Sequence, residues 1–271
     1  MEEFAEYLQQ TYGVANGTAN SYKMAIIILD NIFEQYDVLN FSGKSVASLT
    51  DVGEIYSLYE FVKAEEKKMR TGKDSIFKFG KSSQQSYPKK GFCSAAVRSL
   101  QNFRESIIQQ KATKYVQLTD STSQLVNKLK RITAISDTET NAQIHQRIGQ
   151  SVFRSVLLEI YRGQCCVCGL NIKEILRASH ILPWADNKEN RLNPENGLCL
   201  SATYDAAFDK YLISFDDDYR MIVSPYIREF YTNEAAREYF ERYEGKQLEL
   251  PYKFSPNKEF LSKHRAKVIG F

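Results

Sequence analysis

The stretch that decides the fold is residues 177–209, RASHILPWADNKENRLNPENGLCLSATYDAAFD. A short apolar run contains His180, a polar loop follows, and Asn196 opens a second short run. Asp205 and Asp209 come next, four residues apart, in a segment that we expect to be helical. Residues at this spacing share one face of a helix. The stretch therefore predicts a strand, a loop, a second strand and a helix, with an imidazole opposite two carboxylates.

This combination of side chains indicates a hydrolytic metal site. Carboxylate oxygens suit hard divalent cations such as Mg²⁺ or Mn²⁺ better than they suit soft metals. A neutral histidine beside such an ion can take a proton from water, while the ion stabilises charge that develops on a phosphate. Residues 177–209 therefore favour metal-assisted hydrolysis of a phosphodiester.

The same residues resemble the ββα-metal core of the HNH nucleases, in the variant common among bacterial restriction-type endonucleases. The resemblance implies that His180 is the general base and that Asn196 braces the loop. The metal ligands that it implies are Asp205 and Asp209. Many relatives carry an acid or a histidine directly before the base as a further ligand, and this chain has Ser179 there, which is a poor ligand. Water or another side chain would then complete the metal site.

The resemblance implies a function as well. It points to a Mg²⁺- or Mn²⁺-dependent endonuclease that acts on double-stranded DNA and belongs to a restriction system. Arg177 would steady a neighbouring phosphate by a bidentate contact. Cutting both strands of a palindrome would call for a two-fold homodimer.

Two alternatives stay open. A poorly specific or methylation-dependent nuclease is compatible with the same core, because such cores grip the DNA backbone and specificity comes from appended parts. A nucleic-acid-binding protein whose core has lost activity is the second alternative. Ser179 is an argument for that loss, and the presence of both Asp205 and Asp209 is an argument against it.

The cysteines raise the question of a structural zinc ion. Cys165 and Cys168, followed by Gly169, form half of a zinc knuckle. Where zinc-binding relatives carry the second pair, this chain has Ser201 and Tyr204. We therefore expect buried hydrophobic cysteines in preference to a structural zinc site.

Composition sets further bounds on the chain. Its 271 residues suffice for one large or two small domains, and a net charge of +3 means that any DNA-binding surface has to be local. The sequence contains no apolar stretch long enough to span a bilayer, which takes about 20 residues. The five cysteines are odd in number, and the acidic amino terminus does not resemble a signal peptide. These features favour a cytoplasmic protein without a membrane span.

The amino-terminal half is predicted to be all-α. Residues 3–12, 19–36 and 92–109 carry apolar side chains at helical spacing. Asp51 and Glu54 have the spacing of a capping box at the start of a third helix, which precedes the one over 92–109.

A basic loop is predicted between the third and fourth helices. Asp74 is its single acid, and Phe77, Phe79 and Tyr87 are interleaved with the cations. One interpretation is a solvated, mobile connection, and the other is an arm that contacts DNA phosphates. The basic residues are Lys67, Lys68, Arg70, Lys73, Lys78, Lys81, Lys89 and Lys90.

The remaining elements complete the prediction. A helix over residues 146–161 should precede the nuclease core, and a hairpin over residues 211–223 should follow it, with a turn at the acidic triplet 216–218. The charged carboxyl-terminal segment should be helical, with His264 packing in a lid and not acting in catalysis.

The fold class that follows is α+β, with an all-α N-terminal domain followed by a ββα-metal HNH nuclease core with flanking helices. We expect a helical DNA-binding or specificity domain over residues 1–115 and a linker rich in Thr, Ser and Lys over residues 116–145, broken by a short helical run around residues 125–132. The nuclease domain, with its C-terminal helical extension, should occupy residues 146–271.

Overall fold

The computed structural model describes residues 2–13, 17–35, 45–78, 82–134 and 141–270. The chain divides into two compact units, of which the first comprises Met1–Ile107 and Ile135–Ile144. The second comprises Ile108–Ala134 and His145–Phe271. Within the described ranges, every helix is too short or too polar to cross a membrane.

Helices build the first unit around a hydrophobic core. Apolar side chains at helical spacing face inward, as the sequence predicts, and Leu8, Ile26 and Leu58 are among those fully buried. The side chain of Asp51 accepts a hydrogen bond from the backbone N–H of Glu54, which confirms the predicted helix cap. The helices are α1 (Glu2–Tyr12), α2 (Gly17–Gln35), α3 (Val52–Arg70), α4 (Ser82–Lys89) and α5 (Phe92–Gln117), which begins in this unit.

The second unit combines helices with two small antiparallel sheets. Its helices are α6 (Thr122–Thr133), α7 (Asn141–Ile160), α8 (Ala202–Asp209), α9 (Pro225–Arg228), α10 (Glu234–Tyr239) and α11 (Lys258–Arg265). Its strands are β1 (Leu176–His180), β2 (Gly197–Ser201), β3 (Ile213–Phe215) and β4 (Met221–Val223). The described chain is thus a mixed α and β structure rich in helix, in agreement with the predicted class.

The decisive stretch folds as its pattern predicts. Strands β1 and β2 pair antiparallel, with Leu176 opposite Ser201 and His180 opposite Gly197. Helix α8 starts directly after β2 and packs on both strands. The result is a ββα unit in which the end of β1 faces the helix that carries the two aspartates.

Helix α7 packs against this sheet at Gly197. Its Phe153 and Leu157 approach Gly197 so closely that an added Cβ atom would lie 2.6 Å from a side-chain atom of each. A strand residue larger than glycine would clash at this point. Gly197 therefore lets α7 press directly against the strand opposite His180.

Two features differ from the expectations, and a third agrees with them. Helix α4 lies within the predicted loop and α5 continues past residue 109, whereas α6 contains the short helical run predicted around residues 125–132. Packing explains the longer α5 and stabilises α6, since Val116 of α5 and Leu129 of α6 are fully buried despite their polar neighbours. The boundaries of the predicted domains stay a prediction.

The structure confirms the hairpin and the role expected of the carboxyl-terminal helix. Strands β3 and β4 pair antiparallel, and the carboxylate of Asp216 accepts hydrogen bonds from the backbone N–H groups of Asp218 and Arg220 in the connecting turn. His264 of α11 is buried, donates from Nε2 to the carbonyl of Phe208, and bonds through Nδ1 to the hydroxyl of Ser214. Its ring is a packing element of the core.

Candidate active site

A cleft of about 540 Å³ lies where β1, α8 and the segment after α8 meet. It brings together five of the predicted site residues, Arg177, Ser179, His180, Asp205 and Asp209, because β1 and α8 pack side by side. The residues that line the cleft are Arg177, Ala178, Ser179, His180, Ile181, Pro183, Trp184, Asp205, Asp209, Tyr211 and His264.

The last residue of β1, His180, has a defined tautomer. Its Nε2 lies 3.0 Å from the carbonyl oxygen of Arg191. A carbonyl can only accept a hydrogen bond, so Nε2 carries the proton and Nδ1 keeps a lone pair. Burial, and to a smaller extent the nearby Arg191 guanidinium, lowers the pKa of His180 to about 4. The ring is therefore neutral near pH 7 and can accept a proton at Nδ1.

Two aromatic side chains fix the plane of this imidazole. Phe153 of α7 stacks on His180 with ring centroids 3.8 Å apart and an angle of 15° between the planes. Trp184 meets the ring edge-on at 5.3 Å. Trp184 in turn packs against α7, where an added Cβ at Gly149 would lie 2.9 Å from the indole. Rotation of the His180 ring is thus restricted from two sides.

The loop between β1 and β2 is closed by Asn196. Its side-chain oxygen accepts from the N–H of Leu182, and its amide group donates to the carbonyls of Leu182 and Asn190. Its own backbone carbonyl accepts from the N–H of Ile181. These bonds satisfy the buried amide and hold the chain directly after His180. They are what a loop-bracing asparagine would make.

The two aspartates share a face of α8, one turn apart. Burial raises the pKa of Asp209, and the negative charge of Asp205 raises it further. The hydroxyl of Ser179 donates a short hydrogen bond to Oδ1 of Asp205. Among the described residues, no cationic side chain forms an ion pair with either carboxylate.

These carboxylates suit a hard divalent cation as partial ligands. A cation between them would remove their mutual repulsion, and Mg²⁺ is commonly held by one or two carboxylates with water and substrate phosphate completing its shell. No group of three or more His, Cys, Asp or Glu side chains converges as a complete cage within the described ranges. The donor set thus fits an ion that is shared with a substrate.

The pair Cys165 and Cys168 contacts the chain at the start of α8. Sγ of Cys165 accepts a hydrogen bond from the backbone N–H of Ser201 at 3.2 Å, directly before α8. A hydrogen bond from Cys168 lowers the pKa of Cys165 below that of an ordinary thiol. Cys165 is fully buried and Cys168 is half-buried, and both are free thiols.

The predicted DNA-binding residues fall in two places. Arg177 is exposed at the cleft, where its Nη1 donates to the carbonyls of Glu174 and Leu176. The others belong to the first unit, where Lys68 pairs with Glu65 and Lys78 pairs with Asp74. Lys81 lies outside the described residues. The basic side chains exposed in this region are Lys67, Lys68, Arg70, Lys73, Lys78, Lys89 and Lys90.

Of these cations, Lys73 and Lys78 lie in the described part of the loop after α3, which hydrogen bonds tie to that helix. The carboxylate of Glu65 accepts from the N–H of Ile76, and its backbone carbonyl accepts from the hydroxyl of Ser75. Phe77 is buried in the core of the unit, whereas Phe79 lies outside the described residues. The chain after α3 is therefore anchored by a buried glutamate and by one of its aromatic side chains.

Ser179 was singled out in the sequence, and its hydroxyl bonds to the carboxylate of Asp205. Three residues in or beside the cleft were not predicted to belong to the site. Phe153, on a separate helix, stacks on His180. Arg191 contributes through its backbone carbonyl, which leaves no signal in side-chain chemistry. Tyr211 had a signal, since it follows the end of a predicted helix where glycine is usual.

Comparison with known proteins gives one finding for this region. Residues 165–216 match the family model described as HNH endonuclease. The matched segment contains β1, the braced loop, β2, α8 and β3. A comparison with curated proteins found no match.

Proposed function

Because residues 165–216 form an HNH endonuclease domain, we propose that this chain is a metal-dependent DNA endonuclease of the restriction type. The observation that carries the proposal is the convergence of His180, Asp205 and Asp209 on one cleft. An endonuclease needs a base for water and a means of stabilising charge on phosphorus. The cleft supplies groups for both.

His180 is the proposed general base. Its Nε2 proton is engaged by the carbonyl of Arg191, so Nδ1 is the atom that would accept a proton from the attacking water. The stack on Phe153 holds the ring in one plane, which keeps the lone pair aimed in one direction. Orientation of this kind is a substantial part of general-base catalysis.

Asp205 and Asp209 are the proposed ligands of a divalent ion, Mg²⁺ or Mn²⁺. HNH nucleases generally use divalent metal ions. Such an ion, when bound, would stabilise negative charge on the scissile phosphate and on the leaving 3′ oxygen. In this proposal Ser179 holds Asp205 in position through its hydroxyl, so that one carboxylate oxygen stays oriented toward the ion.

Recognition of DNA is assigned to cations in both units. Arg177 would contact a phosphate beside the scissile one, since its exposed guanidinium lies at the cleft. The exposed lysines and Arg70 of the first unit would contact the backbone of flanking DNA. Specificity would then come from the helical unit, because contacts to the backbone alone carry no sequence information. Cutting a palindrome on both strands would require two copies of the chain.

The test is incubation of the purified chain with methylated and unmethylated plasmid DNA, with Mg²⁺, with Mn²⁺ and with chelator. His180→Ala is the catalytic variant, and His145→Ala, which replaces an exposed histidine of α7, is the matched control. We expect discrete fragments that require metal and His180, with DNA binding intact in His180→Ala. Loss of binding and cleavage together in that variant would point to a structural role for His180.

The same experiment separates the alternatives. A smear in place of discrete bands would favour a poorly specific nuclease, and cleavage of methylated DNA alone would favour a methylation-dependent one. Intact plasmid under every condition, with binding retained, would favour a binding protein with an inactive core.

A further inference from the structure

Tyr211 occupies a backbone position that favours glycine. Helix α8 ends with two paired hydrogen bonds, from the N–H of Tyr211 to the carbonyl of Phe208 and from the N–H of Leu212 to the carbonyl of Ala207. This is the Schellman arrangement, in which the first residue after the cap is left-handed and usually glycine. Tyr211 adopts it with φ of 54°.

A left-handed tyrosine is a disadvantage for the fold. The Cβ atom crowds the following carbonyl in this conformation, so a side chain at Tyr211 destabilises the helix end relative to glycine. Residues held in such conformations concentrate at functional sites. A functional role for the side chain of Tyr211 would offset this disadvantage.

Tyr211 is half-buried and lines the same cleft as His180 and the two aspartates. One neighbour is the ring of His264, with centroids 4.9 Å apart, and another is the ammonium group of Lys267, which lies 5.4 Å from the centroid of Tyr211. The ring is thus held in place between α11 and the segment that follows it.

The hydroxyl of Tyr211 has no hydrogen-bond partner among the described residues. Tyr219 is a useful comparison, since it is also left-handed, with φ of 59°. Its hydroxyl donates to the carbonyl of Pro256 at 3.0 Å, so its polar group is satisfied within the fold. Tyr211 shares the strained backbone and lacks such an internal bond, which leaves its hydroxyl available to a ligand in the cleft.

We propose that Tyr211 contacts the substrate, with its hydroxyl donating a hydrogen bond to a phosphodiester oxygen of the DNA strand in the cleft. This inference rests on the proposed nuclease function and adds a residue to it. Lys267 strengthens the attraction for a phosphate, since no described carboxylate pairs with it.

The cleft offers the DNA strand two contacts outside the reacting centre. Arg177 lies on the β1 side of the cleft, and Tyr211 lies on the side where α8 ends. A DNA strand that contacts both residues would have its scissile phosphate between them, near His180 and the two aspartates. Tyr211 is thus a substrate-positioning contact in the proposed reaction.

The experiment compares Tyr211→Phe with Tyr219→Phe, measuring kcat/KM on plasmid DNA and the Tm of each protein. Both variants remove one hydroxyl from a left-handed tyrosine and keep the ring. Tyr211→Phe should lower kcat/KM by about tenfold or more, as expected for a hydrogen bond to a charged group, without lowering the Tm. Tyr219→Phe should lower the Tm by about 2–4 °C and leave kcat/KM within about twofold.

The outcomes separate this inference from the function on which it rests. If the unmodified chain cleaves DNA and Tyr211→Phe cleaves it equally well, the contact is excluded and the nuclease proposal stands. If Tyr211→Phe loses stability and activity together, the hydroxyl has a structural role, which also overturns the inference. If the unmodified chain cleaves nothing under any metal condition, the nuclease proposal itself fails.

Discussion

The ring of Phe153 lies flat against the ring of His180, with centroids 3.8 Å apart. Phe153 belongs to α7, which contributes none of the ionisable groups in the cleft. In the same helix, Gly149 contacts the ring of Trp184, and Phe153 and Leu157 pack against Gly197. A helix outside the ββα unit therefore sets the orientation of the proposed base.

Phe153→Leu tests this orientation. Removing the flat ring lets the imidazole rotate, so we expect kcat to fall by about 10- to 100-fold with little change in DNA binding. The free energy of unfolding should fall by roughly 1–2 kcal/mol. Val152→Ala, at the neighbouring fully buried position, is the control, since it should cost stability and spare kcat. Equal loss of kcat in both variants would contradict a specific role for the stack.

Ser179→Ala tests the hydrogen bond that holds Asp205. The hydroxyl supports a proposed metal ligand, and loss of such a partner typically weakens metal affinity by about 10- to 100-fold. We therefore expect the Mg²⁺ concentration for half-maximal cleavage to rise by at least about tenfold, while cleavage at saturating Mg²⁺ is partly restored. Ser155→Ala, which removes a hydroxyl bonded locally within α7, should leave the titration unchanged. An unaltered Mg²⁺ titration for Ser179→Ala would contradict the supporting role.

Gly197→Ala tests the contact between α7 and β2. Its new methyl group would lie 2.6 Å from atoms of Phe153 and Leu157, so one element must move. Overpacking of this kind costs about 1–3 kcal/mol, and displacement of Phe153 should reduce cleavage as well. Gly17→Ala is the control, because nothing lies within 4 Å of the added atom there. Thermal unfolding and kcat can be measured on the same preparations. Unchanged values for Gly197→Ala would show that the contact between α7 and β2 accommodates a methyl group without cost.

The lowered pKa of His264 predicts that the folded protein loses stability in mild acid. Burial, and to a smaller extent the positive charge of Lys267, lowers the pKa of His264 from 6.5 to about 4. Between these two values the unfolded chain binds the proton and the folded chain does not, so stability falls as the pH drops from about 6.5 to about 4. Above about pH 6.5 the contribution of neutral His264 to the free energy of unfolding is fully present. About 3 kcal/mol of it is lost as the pH falls to about 4.

Chemical unfolding at pH 7 and pH 5 measures this effect. His180 has a pKa lowered in the same direction, so the parent chain should show the sum of both contributions. His264→Asn removes one of them and should make the pH dependence less steep. An equally steep dependence in that variant would show that His264 does not titrate in the native state.

The parts of the site that lie close together in the sequence were predictable. His180, Asn196, Asp205 and Asp209 fall within residues 177–209. Pairing of β1 with β2, together with helix periodicity, brings His180, Asp205 and Asp209 to one cleft. Asn196 is buried outside the cleft and bonds to the chain that follows His180. Local rules of this kind also gave the cap at Asp51. The prediction succeeded where spacing alone decides which side chains meet.

The parts set by tertiary packing were not predictable in this way. Phe153 reaches His180 from another element, and its apolar spacing indicates only that it is buried. Helix α5 continues past residue 109 into a segment whose Thr, Ser and Lys content favours a linker, because Ala112 and Val116 are buried on one of its faces. Burial of a few apolar residues outweighed composition there.

The bonds made by Asn196 have a consequence for how the molecule can change. They hold together the chain immediately after His180 and the chain immediately before β2. The two ends of the exposed segment around Lys188 are therefore fixed close to each other. Doubling the length of a flexible loop costs only about 0.6 kcal/mol in closure entropy. This segment can therefore accept insertions or exchanged sequences while the cleft keeps its shape, which makes it a natural place for new DNA contacts to be grafted during evolution or design.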